Sequence, residues 1–169
     1  MLHPSLEMGA ALIERLTAQG DEVRVIERDP QLVDHWRALG AFVAHGSADD
    51  PDLVERAAHS CRTMVLLDVE DGLTSTVESA IAGARSTTID RVVMIAGAAA
   101  PRCLGLLRAG SLDYVFVRAA PQRSLFGRRS LDLGFMAEVV DAADDLAGDP
   151  RLELDLSDPA ARRALGLGP

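Results

Sequence analysis

The chain has 169 residues, enough for one domain with a packed core and too few for two comfortable ones. Hydrophobic residues make up 48%, charged residues 25%, and the net charge is −9, which excludes a disordered chain and a surface built to track nucleic-acid phosphates. No apolar run approaches the roughly 18–20 residues a membrane helix needs, and no cationic segment with an apolar core marks export, so a cytoplasmic protein without direct membrane insertion is expected. Cys61 and Cys103 lie far apart without CxxC spacing and read as reduced thiols rather than a disulfide or metal pair. All 17 basic residues are Arg. Without lysine, Walker-type phosphate loops, Schiff-base chemistry and the Tyr-Lys pair of short-chain dehydrogenases are all ruled out.

In chain order, Gly9 to Ala18 reads as a helix with Ala10, Ile13 and Leu16 on its apolar face, closed by Gly20-Asp21. Glu22 to Glu27 is a strand, and Pro30 opens a helix through Leu39, with Leu32, Val33, Trp36 and Leu39 at helical spacing. Ala41 to Ala44 is a short strand, followed by a turn and a helix from Asp52 to His59. Thr63 to Leu67 and Arg91 to Ala96 are continuous apolar strands, the pattern of strands covered on both faces. Between them a helix runs through Ala84; after them Pro101 to Ala109 is a helix and Tyr114 to Val117 a strand. This alternation with short connections predicts an open, mostly parallel α/β sheet with helices on both faces.

After Ala120 the style changes, which divides the chain into a domain over residues 1–120 and a C-terminal segment over 121–169. Pro121 to Arg129 is a basic linker, and Leu133 to Ala147 a helical arm with Phe135, Met136, Val139, Val140, Ala143 and Leu146 in one stripe. That stripe is either a core helix or a dimer arm. Leu152 to Leu156 alternates as a short strand, and Ser157-Asp-Pro159 caps a last helix to Leu165.

The segment Val23-Arg-Val-Ile-Glu-Arg-Asp-Pro30 ends an apolar run on an acid just before a helix, as the second strand of a dinucleotide-binding βαβ unit does. Glu27 sits where such units hold the adenosine ribose hydroxyls, and its other reading is a solvated strand end. Arg28 beside it suits a 2′-phosphate or an adenine face instead. The first strand and glycine-rich loop that should precede this unit are truncated. With Gly9 as the third motif glycine, the other two positions fall on Pro4 and Leu6. Asp68, Glu70 and Asp71 read as an exposed acidic loop rather than a cation site, and His3, His35, His45 and His59 show no ligand spacing.

From Gly9 to Val117 the order of motifs resembles the N-terminal nucleotide-binding domain of RCK-type proteins, the regulators attached to potassium channels and Trk-type potassium uptake systems. Gly9 with Ala10-Ala-Leu-Ile-Glu-Arg-Leu16 is similar to the third glycine and its helix. Val23 to Pro30 is similar to the second strand with its acidic tip. Gly46-Ser-Ala48 with Asp50-Pro51 and Leu53 resembles the Gly-Asp-Ala segment, Ser47 replacing the usual acid. Leu66-Leu-Asp-Val-Glu-Asp71 is similar to the fourth-strand loop, and Leu106-Leu-Arg-Ala-Gly-Ser111 to the turn before the sixth strand. The resemblance implies a Rossmann-like fold that binds NAD(H) or another adenine nucleotide as a regulatory ligand, in dimers, without turning it over.

The residues expected to hold that nucleotide are Gly9, Glu27, Arg28, Gly46, Ser47, Ala48, Leu67 and Asp68; no catalytic or metal-binding set is expected. The function expected is that of a non-catalytic regulator acting through a homodimer, with a membrane transporter or another protein as partner. An interaction module whose nucleotide site is lost is the alternative, and an NAD(P)-dependent oxidoreductase comes third. The missing first strand should be compensated in one of three ways. The second and fourth strands pair directly, Leu152–Leu156 fills the gap, or a second copy donates that segment while the C-terminal stripe packs on the partner.

Overall fold

The structure is a computed structural model that describes residues 6–69, 73–96, 100–118, 133–145 and 151–166. Its elements alternate as α1 (Leu6–Gln19), β1 (Arg24–Glu27), α2 (Pro30–Ala38), β2 (Phe42–His45), α3 (Pro51–Ala58), β3 (Thr63–Val69), α4 (Thr74–Ala84), β4 (Arg91–Ala96), α5 (Pro101–Ala109), β5 (Asp113–Arg118), α6 (Leu133–Asp145), β6 (Arg151–Asp155) and α7 (Pro159–Ala164).

Local chemistry sets the helix starts. Asp29, Asp50 and Asp158 are N-caps whose carboxylates accept from backbone N–H groups two residues on, and each is followed by Pro at the first helical position. At the far end of α2, Gly40 (φ +95°) takes the left-handed conformation that lets Ala41 N–H donate to Trp36 O at 3.1 Å.

The strands are parallel wherever they pair. Met64, Leu66, Val92, Met94, Tyr114 and Phe116 point to one face of the sheet and pack on α3, α4 and α5 through Val54, Ile81 and Leu107. Val65, Leu67, Val93, Ile95, Val115 and Val117 point to the other face, against Met8 and Leu12 of α1 and Val139 and Val140 of α6. Each such buried aliphatic side chain contributes about 1.5–3 kcal/mol of burial free energy. The fold is therefore the expected Rossmann-like α/β sheet with helices on both faces.

The segment beyond residue 120 is built into the same body. Ala137, Val139, Val140 and Ala143 are buried in the core they share with α1, and Arg15 clamps α6 by donating to Asp141 Oδ2 from Nε (2.9 Å) and Nη2 (2.8 Å). The described part of the stripe is thus buried within its own chain. The side chains of Phe135 and Met136, and all of Leu146, lie outside the described residues. β6 pairs with β5 at the sheet edge, Leu154 opposite Val117, so Leu152–Leu156 does not fill the place of the missing strand. Nor do the second and fourth strands of the pattern, here β1 and β3, pair with each other. Among the described residues the strands form a two-stranded sheet, β1-β2, and a four-stranded sheet, β3-β4-β5-β6. Helix α1 bridges them, with Ile13 against Val25 and Trp36, and Leu12 against the larger sheet.

Candidate functional site

In an open parallel sheet the carboxyl ends of the strands are where a ligand meets the chain. β1 ends at Glu27 and β2 at His45, directly opposite each other in register. The turn after β2 is tied back to β1: Gly46 N–H donates to Glu27 O at 2.9 Å, and His45 Nε2 lies 3.2 Å from the Arg28 carbonyl oxygen. Gly46 (φ +154°) faces Leu53, whose Cδ2 would stand 2.5 Å from an added Cβ, so the turn lies close on α3. Ser47 Oγ donates to Asp49 Oδ2 (3.1 Å) and accepts from Asp49 N–H (3.2 Å); Thr76 of α4 donates to Asp49 Oδ1 at 2.6 Å. Ala48 is buried in the core. The turn Gly46-Ser-Ala48 is a rigid floor held by its own hydrogen bonds.

Glu27 is in the expected place with an unexpected environment. It is 5% exposed, the one charged side chain buried among the described residues. Its Oε1 accepts from Asp29 N–H at 2.8 Å and its Oε2 from Trp36 Nε1–H at 3.0 Å. The carboxylate holds the start of α2 and the indole, and it is closed to solvent. The sequence reasoning missed Trp36. The available signal was that a buried indole needs an acceptor for its N–H, and Glu27 was the nearest. Arg28, by contrast, is exposed at the strand tip, and its guanidinium makes no ion pair or hydrogen bond among the described residues.

The other expected residues lie on the α1 and β3 side. Gly9 is buried in the first turns of α1, and Leu67 is buried in the core beside Met8 and Leu12. The side chain of Asp68, with Glu70 and Asp71, lies outside the described residues. The first described residue of α1 is Leu6, 48% exposed, followed by Glu7 in the first turn. A bulky side chain and an acid therefore stand where a pyrophosphate would need bare amides. The structure thus joins Glu27 and Arg28 to the turn that begins at Gly46, while Leu67 packs in the core with α1.

A second polar cluster, not foreseen from the sequence, lies at the sheet edge. Arg108 of α5 donates to Glu153 Oε1 from Nε (2.8 Å) and to Oε2 from Nη2 (2.7 Å), and Tyr114 Oη donates to Oε1 at 3.2 Å. The Arg108 hydrogen bond holds the Glu153 carboxyl below its ordinary range, and burial, with Glu153 beside it, pushes the Tyr114 phenol up. This is an ion pair on an edge strand, remote from the strand carboxyl ends of β1 and β2. Among the described residues no group of three His, Cys, Asp or Glu is arranged to hold a metal ion, and no helix is long and apolar enough to cross a membrane. Neither Cys61 nor Cys103 forms a disulfide.

No curated protein matches the sequence. Among solved structures, the chain is similar to the triphenylmethane reductase of Citrobacter sp. complexed with NADP(H), at TM-score 0.70 and 13% identity over 88% of this chain and 66% of that one. It is similar to the anaerobillin reductase ChuY of Escherichia coli O157:H7, at TM-score 0.64 and 15% identity over 86% of this chain and 89% of that one. An NADPH-dependent quinone oxidoreductase of Escherichia coli matches at TM-score 0.66 and 14% identity over 86% of this chain and 63% of that one. The chain thus spans a little under two thirds of the length of the triphenylmethane reductase. At these identities the likeness is one of fold. It nevertheless corrects the expectation of a non-catalytic regulator and of no enzymatic activity, because the matching folds are those of reductases and an oxidoreductase. The physical reason is plain: hydride transfer is chemistry of the cofactor, so the absence of lysine excludes only lysine-dependent mechanisms. The model of the TrkA-N domain matches residues 7–117. Two thirds of the sequence thus carries that pattern on a Rossmann-type fold, and the chain belongs to the TrkA-N domain family.

Proposed function

We propose that this chain is the nicotinamide-dinucleotide domain of an oxidoreductase and that it takes the phosphorylated cofactor, NADP(H). The observation that carries the reading is the exchange of roles at the tip of β1. Glu27 is turned inward to Trp36 and Asp29, while Arg28 is left exposed with an uncommitted guanidinium. A buried carboxylate whose oxygens are already taken by Asp29 N–H and Trp36 Nε1–H offers nothing to a ribose diol. A guanidinium at the strand tip presents paired donors to a 2′-phosphate. The floor Gly46–Ala48 beside it would seat the adenosine half.

The fit is uneven along the ligand. The adenosine end suits Arg28 and the β2 turn, whereas Leu6 and Glu7 give the pyrophosphate no close approach. When bound, the cofactor supplies the hydride; this chain's residues bind and orient it. Any proton that this chain's own residues deliver comes from a group other than lysine, since these residues include none. Two of the similar proteins are described with NADP(H) or NADPH, which supports the phosphorylated form.

Titration calorimetry of the full chain with NADPH and NADH tests the reading. NADPH should bind about tenfold or more tighter, a difference of about 1.4 kcal/mol, and Arg28→Ala should erase that preference. Oxidation of NADPH by a panel of quinone and dye acceptors tests the reaction class. Binding of neither nucleotide would refute the proposal, and equal affinities would refute the role of Arg28.

A further inference from the structure

The strand ends of both sheets open on one side of the protein. Thr76, in the first turn of α4 after β3, donates to Asp49 in the turn after β2 at 2.6 Å. β3, β4 and β5 run parallel, and Arg118, the last residue of β5, stands opposite Ala96, the last of β4. Arg118 therefore lies on that same side, two strand spacings or about 10 Å past β3. Its main chain is fixed, the carbonyl oxygen accepting from Leu156 N–H at 3.0 Å. Its guanidinium is held only weakly. Asp155 Oδ2 of β6 is 3.8 Å from Nη1, beyond hydrogen-bond reach, and both side chains are more than two-fifths exposed. The other Asp155 oxygen is occupied by Ser157, which donates to Oδ1 from N–H at 2.9 Å and from Oγ at 2.6 Å. Arg108 differs sharply, since Glu153 of the same strand accepts from its Nε at 2.8 Å and its Nη2 at 2.7 Å.

We infer that Arg118 anchors a carboxylate of the acceptor substrate, so that the substrate class is an anionic carbonyl compound or quinone. This rests on the oxidoreductase reading above. With the adenosine half at β1 and β2, the nicotinamide end of the dinucleotide extends over β3 and β4, and the acceptor lies beyond it, over β5. A guanidinium at that strand end offers paired donors in the plane of a carboxylate. The net charge of −9 disfavours anions over the surface as a whole, so an anion is held only where a cation is fixed and loosely paired. Arg118 orients the acceptor and takes no part in the hydride transfer.

The test is titration calorimetry of the full chain, with and without NADP+, against anthraquinone carboxylate and the neutral anthraquinone carboxamide of the same shape. The carboxylate should bind about tenfold tighter than the carboxamide. Arg118→Gln should erase that preference with the melting temperature and the NADPH affinity unchanged. Asp155→Asn, which removes the competing charge, should tighten the carboxylate about threefold. Equal affinities of the two probes, binding of neither, or a preference that survives Arg118→Gln overturns the inference. So does weaker carboxylate binding by Asp155→Asn. A chain that takes the carboxylate through Arg118 but binds no NADPH keeps the anion site and refutes the cofactor reading; one that binds NADPH without any charge preference does the reverse.

Discussion

Trp36 and Glu27 meet inside the protein, the indole Nε1–H donating to Glu27 Oε2 at 3.0 Å, with both side chains cut off from solvent. A buried carboxylate is tolerated only when its oxygens are satisfied, and here Asp29 N–H takes the second one at 2.8 Å. The pair fastens α2 to the tip of β1, next to Arg28.

Removing either partner should therefore cost stability in the absence of any nucleotide. Trp36→Phe leaves one carboxylate oxygen buried without its donor and opens a cavity. The expected loss is about 3 kcal/mol, read from denaturant unfolding. Glu27→Ala should also lower the melting temperature of the ligand-free chain. A Glu27→Ala protein as stable as wild type would show that the carboxylate serves a ligand and not the fold.

Two glycines in helices make opposite predictions. At Gly83 of α4 an added Cβ would stand 2.7 Å from Pro51 O and 2.8 Å from Val54 Cβ, neither of which is the end of a flexible side chain. Gly83→Ala must push α3 from α4, and the expected loss is about 1–3 kcal/mol despite the gain in helix propensity. At Gly105 of α5 nothing lies within 4 Å of the added Cβ. Gly105→Ala should stabilise by about 0.5–1 kcal/mol. Thermal melts of both variants, side by side, check the packing of α3 on α4; equal shifts of one sign would contradict it.

The edge ion pair gives a pH dependence with a definite sign. Arg108 holds the folded Glu153 carboxyl below its ordinary range, so the unfolded chain takes up this proton more readily than the folded one. The stabilisation is complete above the ordinary glutamate value, about 4.3, and fades as the pH falls through the lower folded value. Denaturant midpoints at neutral pH should favour wild type over Glu153→Gln, and the two should converge in acid. A difference that grows in acid would reverse the assignment. The group is largely solvent-accessible, so the effect is small and weakened by salt.

Much of the fold was legible because its signals are local. Asp29-Pro30, Asp50-Pro51 and Asp158-Pro159 announce helix starts by capping chemistry alone, and continuous apolar runs such as Thr63–Leu67 announce strands covered on both faces. Placement was less legible. Leu152–Leu156 reads correctly as a strand, yet its site beside β5 follows from Leu154 packing in the core shared with α6, which no local pattern records. The tip of β1 shows the same limit within the site. Position alone made Glu27 a ribose ligand, and only the fold reveals that Trp36, nine residues on, takes its carboxylate inward. The absence of lysine was read too broadly, as evidence against catalysis and not merely against one kind of it.

The charged face of β6 has a consequence for self-association. An edge strand with bare amides and apolar side chains is a template for sheet growth between molecules. Here the outer strand carries Arg151, Glu153 and Asp155. Arg108 holds Glu153, Arg118 lies 3.8 Å from Asp155, and Arg151 Nη2 donates to Gly110 O at 3.0 Å. A neighbour adding to this edge would have to strip water from anchored charges. Chains crowded together are thus kept from stacking into fibres at β6 by the same ion pairs that steady the strand.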